Sequence, residues 1–96
     1  MIVPEEELVN YLGNDLANLE GRISERTLRK LKDYDEYSVT EFQLPIIDYL
    51  FLSHQQGNRS LRILSKEIGI SAPTLIRIFE LYGLPIVGNA EAMRRN

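Results

Sequence analysis

The chain has no cysteine, a single histidine and no long apolar run. Without thiols it forms neither disulfides nor thiolate metal sites, so redox chemistry gives no argument about its compartment. No stretch approaches the roughly 20 apolar residues that span a bilayer. The amino terminus does not resemble a signal peptide, because Met1-Ile2-Val3-Pro4 is followed at once by Glu5, Glu6 and Glu7. A glycine-rich phosphate loop, a metal-ligand pair and a nucleophile motif are all missing, so no cofactor, no metal and no enzymatic activity are expected. His54 falls where a helix should end and is read as a partner for the negative end of that helix. Catalysis would require a group oriented against it, and none is visible. A soluble, cytoplasmic protein without membrane contacts is expected.

With 96 residues the chain is expected to form one domain, able to build a modest core without a staple. Its net charge of −3 hides an uneven distribution. Residues 1–56 hold five basic and eleven acidic side chains, a balance of −6, whereas residues 57–96 hold six basic and three acidic ones, a balance of +3. Binding to an anionic partner depends on the local field more than on the total.

The positive half contains the most informative segment, Ser60 to Tyr82. Leu61, Leu64 and Ile68 share one helical face. Gly69 follows where the chain must turn, a position that favours glycine because it adopts a left-handed conformation without steric cost. Ile70 plugs the corner, Ser71 is a good N-cap, and Pro73 is tolerated in a first turn whose N–H groups lack helical partners. Leu75, Ile78, Phe79 and Tyr82 then recur at i, i+3, i+4 and i+7, the inward stripe of a second helix.

This arrangement resembles the DNA-binding helix-turn-helix family. The small residue in the first helix (Ser65), the turn glycine (Gly69) and the apolar anchors Leu64, Ile68, Ile70, Leu75 and Ile78 make seven agreeing positions, in a motif that covers 23 of the 96 residues. Two steeply crossing helices need a small side chain at closest approach and a turn of fixed length. The resemblance implies a first helix lying across the DNA backbone and a second presenting its outer face to the major groove. It maps base-reading positions onto Ser71, Ala72, Pro73, Ile76 and Arg77. Arg77 is the strongest candidate, since arginine pairs with guanine through two hydrogen bonds, while Thr74 and Ile76 suit thymine methyls. Arg59, Arg62 and Lys66 are the expected phosphate contacts. Glu80 departs from the pattern by repelling phosphate, unless it accepts from cytosine or orients Arg77. If four cations reach phosphates, the salt slope is only about −3.6, which makes a single copy a weak binder and a homodimer the expected form. Without DNA contact, the same hairpin closes a core or docks a protein.

The amino-terminal half reads as helices throughout. Pro4 and three glutamates open one that continues through Leu8, Leu12, Leu16 and Leu19 to Gly21, weakened by Gly13. Ser24 caps a second, from Glu25 to about Tyr34, with Leu28 and Leu31 inward. Arg22, Arg26, Arg29, Lys30 and Lys32 crowd this segment, either as a solvated face paired with nearby acids or as a second contact to the DNA backbone. Asp33-Tyr34-Asp35-Glu36-Tyr37-Ser38 reads as a polar connection whose aspartates bond nearby amides.

Thr40 and Gln43 have capping-box spacing and predict a helix from Glu41 to Gln55, with Pro45 near its first turn. Phe42, Leu44, Ile46, Ile47, Tyr49, Leu50, Phe51 and Leu52 make it apolar nearly all round, fit for the centre of the domain or for a dimer contact. Gly83, Leu84 and Pro85 end the last helix. The tail after them is too short for a two-stranded wing. The exit Tyr82-Gly83-Leu84-Pro85-Ile86, followed by Ala90-Glu91-Ala92-Met93-Arg94, is similar to modules appended to microbial and phage homing endonucleases, where a Tyr-Gly-Ile-Pro-type exit leads to a Ser-Glu-Ala-type helix start. That likeness implies a targeting module of a larger DNA-processing enzyme. The expectation is an all-α domain: a helical support over residues 1–39 with a possible dimerisation role, a tri-helical helix-turn-helix core over 40–83, and a tail over 84–96. Its expected function is sequence-specific binding of double-stranded DNA in transcriptional regulation.

Overall fold

Three serines start three of the four α-helices. In a computed structural model, which describes residues 2–57 and 59–87, Ser24, Ser60 and Ser71 each accept a hydrogen bond from the backbone N–H three residues on. Each bond satisfies one of the donors that a helix start leaves without an internal partner. The helices are α1 (Glu25–Phe42), α2 (Ile46–Gln55), α3 (Leu61–Ile68) and α4 (Ala72–Leu81). Two 3-10 segments, Glu5–Tyr11 and Leu16–Leu19, precede them, and all regular structure among the described residues is helical. None of these helices is long and apolar enough to cross a membrane.

α2 is the axis of the core. Ile46, Ile47, Tyr49, Leu50, Phe51, His54 and even Asp48 and Gln55 are buried, so the helix is enclosed on nearly every side. Leu31 of α1, Leu61 and Leu64 of α3, and Leu75, Ile78 and Phe79 of α4 meet it with no exposed surface. α1 packs on α2 and α3, and α3 packs on α4. The expected central, all-round apolar helix is therefore present, but it begins at Ile46 and not at Glu41.

The segments around it correct the sequence expectations. The polar stretch Asp33–Ser38 is helical, and α1 runs through it to Phe42, across the expected boundary between residues 39 and 40. Two of its polar residues build the α1–α2 corner. Asp35 Oδ1 accepts the Ile46 N–H at 2.8 Å and so caps α2 from another helix. The buried Ser38 Oγ donates to the Leu44 carbonyl at 2.8 Å. Thr40, Glu41 and Phe42, read as a helix start, form the last turn of α1, which ends at Gln43 in the left-handed conformation (φ 57°). Pro45 is the N-cap of α2, a position where its missing N–H costs nothing.

The amino-terminal segment is not the continuous helix that its leucine spacing predicts. Gly13 takes φ 85°, and its N–H and that of Asn14 donate to the buried carboxylate of Asp48 at 2.8 and 3.2 Å. Those two amides serve α2 and not a local helical turn, which splits the segment into two short 3-10 pieces. Leu8 and Leu19 still reach the core from either side of the break.

Candidate nucleic-acid interface

The corner between α3 and α4 follows its local signals. Ser60 Oγ accepts from the Ile63 N–H at 3.2 Å to start α3. Gly69 closes it with φ 74°, its N–H on the Ser65 carbonyl. Ile70 is buried in the corner, and Ser71 caps α4 while its hydroxyl meets that of Thr74 at 2.8 Å. α4 ends when the Leu84 N–H reaches back to the Phe79 carbonyl at 2.8 Å, with Gly83 at φ 67° and Leu84 buried. Of the tail, residues through Val87 are described, so the likeness over Ala90 to Arg94 lies outside the described residues.

With Leu75, Ile78 and Phe79 inward, the outer ridge of α4 is Pro73, Arg77 and Glu80, spaced i, i+4 and i+7 and all exposed. Ser71 is exposed at the amino-terminal end of that ridge. Ala72, Thr74 and Ile76 are half-buried on its flanks, and Ile76 packs against the core. On α3, Arg62 and Lys66 share an exposed face one turn apart, beside Ile63, an aliphatic side chain left 49% exposed. Arg62, Lys66 and Arg77 form no ion pair among the described residues.

Arg59 differs from the other expected phosphate contacts. Its guanidinium pairs with Glu67 of α3 and donates to the Tyr49 hydroxyl of α2 at 3.1 Å. Glu67 also accepts from the hydroxyls of Tyr34 on α1 and Tyr49 on α2. One carboxylate thus ties three helices together behind the corner. Burial works to raise the Glu67 pKa, but the two tyrosine donors and the Arg59 charge outweigh it and hold the carboxyl below its ordinary value. Both tyrosines are pushed above theirs, first by burial and then by the carboxylate they serve. With Arg59 and Glu67 cancelling, the outward charge of α3 and α4 is Arg62, Lys66 and Arg77 against Glu80.

Further ties were not legible in the sequence. Lys30 Nζ of α1 donates to the Gly69 carbonyl at 2.9 Å, so the basic segment of α1 abuts the α3–α4 corner. His54 is buried and bonded on both ring nitrogens, not exposed as a charged partner of the helix end. The Val87 N–H donates to Nε2 at 2.9 Å, which places the proton on Nδ1, where it bonds the Arg59 carbonyl at 2.9 Å. The ring is therefore neutral, and burial lowers its pKa further from the charged form. Gln55 beside it accepts the Val3 N–H and donates to the Pro85 carbonyl, joining the segment before the first 3-10 piece and the one after α4 to α2.

Comparison with protein-family models, with curated proteins and with solved structures finds no match. The functional reading therefore rests on the residues themselves.

Proposed function

We propose that this domain binds double-stranded DNA sequence-specifically, with α4 as the helix that enters the major groove and α3 lying across the backbone, in the service of transcriptional control in the cytoplasm. The observation that carries the reading is the outward ridge of α4, which holds Arg77 exposed and without an ion pair among the described residues. An arginine free at the centre of a short exposed helix suits paired hydrogen bonds to guanine. Arg62 and Lys66 supply phosphate contacts from α3. Ser71, Pro73 and Arg77 are the foremost base-reading side chains, with Ala72, Thr74 and Ile76 contributing only their outer edges. Few cations face outward on α3 and α4, so useful affinity calls for two copies. The exposed Tyr37, Val39 and Phe42 at the end of α1 suit the contact between them.

The test is selection of a preferred duplex from random sequence, followed by fluorescence anisotropy with wild type and Arg77→Ala. Loss of one bidentate contact should cost about 1–3 kcal/mol on the preferred duplex and much less on a scrambled one. Two chains per bound duplex are expected. Failure to select any sequence, or an Arg77→Ala variant that loses the same affinity on both duplexes or none on the preferred one, would reject the reading.

A further inference from the structure

We infer that the amino-terminal half of α1 is a second phosphate-binding element, reaching the nucleic-acid backbone beside the helix-turn-helix corner. The inference rests on the proposed DNA-binding function and extends it to a helix outside the motif.

The segment from Arg22 to Lys32 holds five cations and a single acid, Glu25, although the surrounding half of the chain is acidic. The fold puts one face of that segment at the corner. Lys30 Nζ sits 2.9 Å from the Gly69 carbonyl, two residues before the cap of α4. An ammonium has three donors, so this bond leaves Lys30, which is exposed, two more for an incoming anion. Arg26 lies one turn earlier on the same face, exposed and without an ion pair among the described residues. The positive face ends one turn later at Asp33, and Tyr34 beyond it is already committed to Glu67. Charge on that face is thus concentrated where α1 meets the turn at Gly69, between α3 and α4.

A solvated surface cluster has no need of this placement. Tying the lysine to the turn carbonyl fixes the α1 cations relative to the groove-entering helix. A duplex seated on α4 then presents backbone phosphates within reach of side chains as long as lysine and arginine. Phosphate contacts of this kind set register without reading sequence. Lys32 is exposed as well but points about 160° round the helix from Lys30, toward the recess it lines with Glu20 and Glu25. It carries the same charge in the wrong place and makes an internal control.

The experiment measures the salt dependence of duplex binding for the full chain and for Arg26→Gln, Arg26→Gln/Lys30→Gln and Lys32→Gln, with thermal melts to verify folding. Each lost phosphate contact should flatten the slope of log K against log salt by about 0.9, hence by about 1.8 in the double variant. For complexes of equal affinity at 1 M salt, that corresponds to about thirtyfold weaker binding at 0.15 M. The ratio of preferred to scrambled affinity should stay constant, and Lys32→Gln should keep the wild-type slope. An unchanged slope in Arg26→Gln, which breaks no contact within the fold, refutes the role of α1 while leaving α4 as the DNA-binding helix. Equal flattening by Lys32→Gln refutes it too, as an effect of net charge. Absence of duplex binding by wild type removes the functional reading and this inference together.

Discussion

Replacing Tyr34 by Phe removes one hydroxyl from the carboxylate that joins three helices, and the size of the effect follows from the geometry. The hydroxyl donates to Glu67 Oε2, which keeps Tyr49 as a second donor, while Oε1 keeps Arg59. A hydrogen bond to a charged group contributes about 1.5–3 kcal/mol. The Glu67 side chain is 20% exposed and Arg59 38% exposed, so water partly replaces the lost donor and the lower end applies, about 1.5–2 kcal/mol. A domain of 96 residues has only about 5–14 kcal/mol in total, and each kcal/mol moves its melting temperature by about 4–8 °C. Tyr34→Phe should therefore melt about 6–16 °C below wild type. Tyr49→Phe should cost more, since it also strips a contact from Arg59. The two losses should not add, because both hydroxyls serve the same oxygen. Urea unfolding followed by circular dichroism at pH 7 measures both, with an unchanged m-value marking a change in stability alone. The sign with pH is fixed as well. Glu67 has a lowered folded pKa, so its contribution is present above the unfolded value of 4.5 and disappears as pH falls through the folded one. Tyr34→Phe weakens that shift, so the gap to wild type should narrow in acid. A loss under about 0.5 kcal/mol at pH 7 would refute the assigned role of the carboxylate.

Two further outcomes are expected. His54 is held neutral with a lowered pKa, so its contribution is complete above the unfolded value of 6.5 and is lost as pH falls through the folded one. Within that window wild type should lose up to about 1.4 kcal/mol per pH unit, a dependence absent from His54→Gln in parallel urea titrations. Gly69→Ala meets nothing closer than Lys30 Nζ at 3.9 Å, so its cost is that of the left-handed backbone alone, about 1–2 kcal/mol by thermal melt. Gly69→Asn should cost less, because asparagine tolerates that conformation. An equal cost for the two would mean that the side chain, and not the backbone, is what position 69 excludes.

The corner from Ser60 to Gly83 was legible in the residues because every signal it uses is local. A capping serine bonds three positions on, glycine relieves its own backbone, and apolar side chains repeat within two turns. The start of α1 at Ser24 was legible for the same reason. The exposure of Arg62, Lys66 and Arg77 likewise follows from their places on the helical repeat. The tie of Arg59 does not, since nothing near it in sequence announces that Glu67 and Tyr49 converge on it.

Tertiary structure decided the rest. Asp33 to Ser38 has the composition of a loop, yet it stays helical because Tyr34, Asp35 and Ser38 find partners on α3, at the head of α2 and in the α1–α2 corner. Thr40 to Gln43 fits the start of a helix as readily as its end, and Pro45 with the Asp35 cap placed the start of α2 five residues later than the capping box suggested. The leucines from Leu8 to Leu19 keep helical spacing, but Asp48 captures the amides of Gly13 and Asn14 from 35 and 34 residues away. Sequence alone determines what a residue does with neighbours one helical turn off. Which polar side chain bonds which distant backbone group is decided only when the core brings them together, because until then water satisfies both.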